Sequence, residues 1–247
     1  MKGYSIVSEK DLPILKADIA DIAPNILVMG DPNRVIEGSK LLQNPKEVGN
    51  YREYLTITGS YRHKLVTLCS HGVGASGASV CFQDLFQAKV KNIIRTGTCG
   101  SLQNYIKDGD IIISTSAVRE DGTTPAFVPI EYPAAAHHDV LNALEKASIQ
   151  YSDKIHTGLT MTTSSFSPEL LPNNYKLWAK AGVLVVEMEQ AVLLVLASLK
   201  QIRAGGLFVS DGYAFNNQKY DPHRHIIHRS VSTMLTIALD ALVDLSD

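Results

Sequence analysis

The chain has 247 residues, 45% of them apolar and 19% charged, the composition of an ordinary soluble globular protein. With 23 Lys and Arg against 25 Asp and Glu, it has no cationic excess for nucleic acid or an anionic membrane. The longest apolar run, AVLLVLASL (191–199), is too short to span a bilayer, and MKGYSIVSEKD at the start lacks the apolar core of a secretory signal.

Cys69, Cys81 and Cys99 form no C-x-x-C pair, which predicts a reduced, cytoplasmic chain without structural disulfides or zinc. No Pro-, Gly- or Ser-rich linker and no repeat divides the sequence, so residues 1–247 are expected to form one domain. In chain order, NILVMG (25–30) predicts a buried strand. It leads into DPNRVIEGSKLL, a helix with Asp31 suited to the N-cap and Pro32 to the first helical position. Such a helix start offers free N–H groups to an anion, and Arg34 adds a charge one turn on. The plainer reading is a capped helix with a solvated arginine.

YREYLTITGSYRHKLVTLCS alternates and predicts an antiparallel hairpin turning at Gly59–Ser60, so the sheet is mixed. Its last part, KLVTLCS (64–70), predicts a strand and runs into SHGVGASGAS, where Gly72, Gly74 and Gly77 have the spacing G-x-G-x-x-G. A dinucleotide site needs an acidic residue about twenty positions on to hold the ribose. That count lands near Gly97, beside Arg95 and no carboxylate. The glycines therefore serve a tight turn with close helix packing, or close approach to a smaller ligand. His71 in this loop is assigned no chemistry.

KNIIRTG (91–97) predicts a strand with Arg95 at its end, followed by the hydroxyls of Thr96, Thr98 and Ser101. A guanidinium there needs a negative partner, either a protein carboxylate or a bound phosphate. DIIIST (110–115) predicts another strand. In VVEMEQA (185–191), Glu187 and Glu189 share a face if extended and point about 200° apart at a helix start. They read as first-turn glutamates or as acceptors for a sugar diol. GGLFVSD (205–211) ends on Asp211, which reads either as a turn or cap residue or as a partly desolvated carboxyl able to donate a proton. From Val231, VSTMLTIALDALVDL predicts a closing amphipathic helix. HHD (137–139) and HRHIIH (223–228) lack converging acidic partners and predict no metal site. The alternation of apolar runs with helical patterns predicts an α/β fold, a three-layer sandwich around a mixed β-sheet.

GDPNR, NYREY, SHGVG, RTGTCGS, VVEME and VSDG, in this order from about Pro24 to the C-terminal helix, resemble the nucleoside phosphorylase-I family. Within it they are most similar to purine nucleoside phosphorylases of the hexameric type, and NYREY, SHGVG, CGSLQ and AVRED (117–121) point to the apicomplexan-parasite branch. The resemblance implies phosphorolysis of a purine nucleoside, with inorganic phosphate as co-substrate and no cofactor. It implies a homo-oligomer, a hexamer built as a trimer of dimers. It assigns phosphate to Gly30, Arg34, Arg95 and Thr98, with Arg52 reaching in from a neighbouring subunit. Glu189 would hold the ribose hydroxyls, with Met188 against the sugar and Glu187 beside it. Val73 would lie near sugar and base, Met161 where the family stacks an aromatic ring, and Asp211 would be the general acid at purine N7.

Three departures accompany the resemblance. A gapless count puts Ile14 where the family has a histidine for the ribose 5′-hydroxyl, so an apolar 5′ substituent is admissible there. In TTSSFS (162–167) the family's Asp and Tyr are Ser164 and Ser167. The Asn216–His223 segment diverges from the family, and Arg224 beside it is a candidate to assist Asp211, as an arginine does in bacterial relatives. A uridine phosphorylase would carry a Gln and an Arg that SFSPELLPNNY lacks, and a nucleosidase using water would not need Arg34, Arg52 and Arg95 together. An NAD-linked oxidoreductase and a non-catalytic nucleoside-binding protein are the remaining alternatives.

Overall fold

The computed structural model describes residues 11–151, 154–167, 170–215 and 225–245. Two short strands, β1 (Asp11–Leu12) and β2 (Ala17–Asp18), precede β3 (Asn25–Met29), whose five residues are all buried. Ile26 and Val28 face one apolar cluster, and Leu27 and Met29 the other. That period-two alternation, apolar on both faces, makes β3 a central strand covered by helices above and below. Helix α1 (Pro32–Ser39) follows, with the Asp31 side chain accepting the Asn33 N–H at 2.8 Å as its N-cap.

Strands β4 (Gln43–Tyr51), β5 (Tyr54–Tyr61) and β6 (Lys64–Ser70) form an antiparallel meander. The predicted turn at Gly59–Ser60 is corrected: both residues lie inside β5, and the chain reverses at Arg62 and His63, with φ of 46° and 65°. Two consecutive left-handed residues suit the twist of a two-residue hairpin. Gly59 is needed for another reason, since a Cβ there would lie 3.0 Å from that of Leu42. Arg52, with φ 55°, sits at the β4–β5 turn.

The remaining elements are α2 (Ala75–Leu85), β7 (Asn92–Ser101), β8 (Ile111–Glu120), α3 (His138–Ser148), β9 (Ile155–Thr163), α4 (Tyr175–Lys180), β10 (Val185–Glu187), α5 (Gln190–Leu199), β11 (Arg203–Tyr213) and α6 (His225–Asp244). β1 pairs with β2 alone, and strands β3 to β11 join in one mixed sheet of order β10-β9-β8-β11-β7-β3-β6-β5-β4. Helices α1, α3 and α6 cover one face and α2 and α5 the other, giving the expected three layers. By length and composition α6 suffices to cross a membrane, but 67% of its apolar window is buried inside the molecule, as suits a core helix.

The sandwich is not uniform. β10 pairs with β9 in parallel and with β7 antiparallel, so β7, β11, β8, β9 and β10 curl into a closed ring. Strand β7 also runs to Ser101, well past the apolar run that announced it, because β11 and β10 pair with its small residues. Arg95 is therefore a mid-strand residue and not a strand-end one. In β11 the register with β7 shifts between Ser210 and Gly212, which makes Asp211 the extra residue of a β-bulge. A bulge re-aims the side chain it carries, and this one stands where the parallel strands end. Ligands of α/β sheets collect at that end.

Candidate active site

A cavity of about 1230 Å³ opens at the carboxyl ends of β3, β6, β7, β10 and β11. One wall is the start of α1. Gly30 and Arg34 line it, and Arg34 Nη2 reaches Thr98 Oγ1 on β7 at 3.5 Å. Beside them runs the loop from Ser70 into α2. Gly72 and Gly74 have φ of +73° and +92°, and a Cβ on Gly72 would come within 2.7 Å of Glu53 Cγ. Only glycine fits at Gly72, so the loop lies close to the β4–β5 hairpin and leaves Val73 80% exposed on the cavity wall.

Arg95 is 3% exposed. Its Nη1 lies 2.8 Å from Glu187 Oε2, its Nη2 pairs with Glu189, and its Nε donates to His71 Nε2 at 3.3 Å. The guanidinium also lies over the Phe208 ring, 5.0 Å from its centroid. Of the two partners foreseen for this arginine, the protein carboxylates hold it here. Glu187 ends β10 and takes the backbone N–H groups of Glu189 (2.7 Å) and Gln190 (2.8 Å), closing the N-terminus of α5. Glu189 turns back to accept the Gly74 N–H. Both carboxylates thus converge on one guanidinium, a third outcome beside the same-face and opposed arrangements. Burial pushes the Glu187 carboxyl up from the ordinary range and Glu189 adds to this, while Arg95 and the hydrogen-bond donors oppose it.

His71 is fully buried, and its pKa is lowered to about 4, first by burial and then by the Arg95 charge. Arginine can only donate, so Nε2 is the acceptor and Nδ1 carries the proton, which it gives to Gly72 O at 2.8 Å. Asp211, 5% exposed, also lines the cavity, on its bulge beside Gly212 and Tyr213. Residues 104–110 form a strap along this side, tied to the bulge by Gly109 N–H on Ser210 O (2.8 Å) and Ser210 N–H on Asp110 O (2.9 Å).

The cavity therefore assembles Gly30, Arg34, Arg95 and Thr98 with Val73, Glu187, Met188, Glu189 and Asp211. Met161 is a correction. It is fully buried in β9 among Leu102, Tyr175, Val183 and Val186, away from the cavity surface. Its neighbours in register are Val118 and Val186, so the packing that seats β9 between two strands absorbs its side chain. Phe166, in the loop after β9, supplies an exposed aromatic to the wall instead, with Ser167 and Tyr175. An aromatic in a Ser- and Pro-rich loop just past a strand was the available signal. Lys107 and Asp108 of the strap had none, since QNYIKDGD reads as a plain polar turn.

Arg52 is exposed at its hairpin turn, packed over the Tyr51 ring, and does not line this chain's cavity. Ile14 packs against the α2–α5 side of the core, where its N–H binds Asp84. Ser164 is exposed away from the cavity, and Arg224 lies outside the described residues. Among the described residues no three His, Cys, Asp or Glu side chains are grouped to hold a metal.

Residues 25–243 match the profile of the phosphorylase superfamily. The chain is 34% identical to the purine nucleoside phosphorylase of Plasmodium falciparum (isolate 3D7) over 234 residues, 94% of this chain and 96% of that one. It is 33% identical to the guanosine phosphorylase of Halorubrum lacusprofundi over 211 residues, 84% of this chain and 86% of that one. The crystal structure of the Toxoplasma gondii purine nucleoside phosphorylase in complex with immucillin-H superimposes with a TM-score of 0.92 at 28% identity, covering 99% of this chain and 98% of the other. With that profile matching residues 25–243 and the fold shared over nearly its whole length, the chain belongs to the phosphorylase superfamily.

Proposed function

We propose that the protein is a purine nucleoside phosphorylase, which cleaves purine ribo- and deoxyribonucleosides such as inosine and guanosine with phosphate. The observation that carries this reading is one cavity lined by two arginines and a hydroxyl, a buried carboxylate pair paired with one of those arginines, and a buried aspartate. The similarity to the Plasmodium and Halorubrum enzymes supports it. The reaction breaks the bond from C1′ to the base, forms one from C1′ to a phosphate oxygen, and leaves a proton on the base. Positive charge builds on the sugar and negative charge on the base. The protein's task is thus to hold the anion and protonate the leaving group.

In this reading Gly30 N–H, Arg34, Arg95 and Thr98 Oγ1 bind phosphate, a guanidinium fork and hydroxyl matched to a tetrahedral anion. Glu189 accepts the ribose hydroxyls, with Met188 and Val73 packed against the sugar and Glu187 steadying Arg95. Asp211 donates its proton to purine N7. No resident cofactor is needed. The chain acts as one domain, its sheet drawing strands from Asn25 through Tyr213.

Among the described residues, six anionic and three cationic side chains line the cavity. Such a wall attracts phosphate poorly, so the reading includes a second copy of the chain that brings Arg52 to the phosphate end, in a hexamer built from dimers. Arg52→Ala is expected to raise the phosphate KM about tenfold, the loss of one charge-assisted contact, with the inosine KM little changed. Unchanged phosphate dependence in steady-state kinetics removes the shared site.

The test of the activity is release of hypoxanthine from inosine with and without phosphate. Turnover is expected with phosphate alone, yielding ribose-1-phosphate. Release independent of phosphate would indicate a nucleosidase, and preference for uridine over inosine a uridine phosphorylase.

A further inference from the structure

We propose that His71 is a positioning residue for Arg95, aiming its guanidinium at the phosphate end of the cavity. The inference rests on the reading of Arg95 as a phosphate ligand. Each atom of the imidazole that can form a hydrogen bond is committed: Nε2 accepts Arg95 Nε–H, and Nδ1–H binds Gly72 O. Gly72 N–H in turn binds Gly30 O at 3.1 Å, which ties the ring to the start of α1. The edge of the Phe82 ring, 5.3 Å away between centroids, fixes the plane of the imidazole.

The three nitrogens of Arg95 therefore have different fates. Nη1 and Nη2 face the carboxylates of Glu187 and Glu189, and among the described residues Nη1 has no aligned hydrogen-bond acceptor despite its 2.8 Å approach to Glu187. A buried N–H left short of a partner favours whatever anion completes it. Phosphate completes Nη1 beside Glu187 and takes Nη2 over from Glu189, which is released to the sugar. Nε then keeps His71 as its one constant partner, so the guanidinium pivots about a fixed point and is not free to swing. Burial keeps the imidazole neutral, with its pKa at about 4, so Nε2 remains an acceptor at neutral pH. Phe208 beneath the guanidinium restricts the pivot to the plane of the ring.

Three variants separate this role from simple packing. His71→Phe keeps a ring and removes both hydrogen bonds. His71→Asn retains a donor near the Nδ1 position and loses the acceptor, whereas His71→Gln retains an acceptor near Nε2. Steady-state kinetics are measured at varied phosphate and inosine, with thermal melting alongside. The Phe and Asn variants are expected to raise the phosphate KM about tenfold while the inosine KM moves less than about threefold, and Gln is expected to stay near wild type. If Phe does not fold, the Asn and Gln pair gives the same contrast. A phosphate KM within about twofold of wild type in Asn, equal impairment in Gln and Asn, a parallel rise in the inosine KM, or loss of folding in all three overturns the proposal. Wild-type turnover without phosphate would instead overturn the assignment of Arg95, which separates the two failures.

Discussion

Asp211→Asn is expected to lower kcat for inosine about 10²- to 10³-fold, within the usual range for removing a general acid, while leaving the phosphate KM within about twofold. The bulge at Asp211 lifts this residue out of the β7–β11 register, and 5% exposure leaves it nearly stripped of water. An amide of the same shape can still donate a hydrogen bond to N7 but cannot transfer a proton. The departing base must then leave as an anion. A nucleoside already carrying positive charge on its base, such as 7-methylguanosine, needs no proton at N7. It should be cleaved by the variant at close to the wild-type rate. Wild-type turnover of inosine by Asp211→Asn would remove the residue from the mechanism. Equal losses on both substrates would make its role structural.

The parts of the fold legible in the sequence are those fixed locally. NILVM and KLVTLCS become β3 and β6 at the expected bounds because apolar residues on both faces leave a buried strand as the natural solution. Asp31 and Pro32 mark the start of α1 by their own chemistry. Strands β7, β8 and β11 outrun their apolar cores because pairing, not side-chain character, extends them through TCGS, AVRE and DGY. The Arg62–His63 turn was hidden because glycine and serine three residues earlier are the commoner turn formers. At the cavity, Arg34, Thr98, Glu189 and Asp211 were legible as polar residues following apolar runs. Two facts were not: that both glutamates share Arg95, and that His71 completes its shell. Each depends on segments far apart in sequence meeting at one sheet end, to which no local spacing is sensitive.

Arg95→Met is expected to cost about 3–5 kcal/mol of stability near neutral pH, because it leaves a buried carboxylate pair without its cation. Methionine fills much of the arginine's apolar stem, so little of the loss comes from a cavity. The penalty should depend on pH in a definite direction. Burial already raises the Glu187 carboxyl above its ordinary value, and Arg95 is the principal opposing influence. Removing the arginine raises it further. A group raised in the folded state contributes its stability at pH values below its unfolded value, and that contribution is lost as pH climbs through the folded one. The difference in melting temperature between wild type and Arg95→Met should therefore be smaller at pH 5.5 than at pH 8. Arg95→Met combined with Glu187→Gln should recover part of the loss at pH 8, since the amide needs no counter-charge and can still accept the N–H groups at the start of α5. A gap that is constant with pH, or wider in acid, would mean that the carboxylates are not what Arg95 holds in place. The same variant should lose activity at every phosphate concentration, because the cation that balances the two glutamates is the one the anion would take from them.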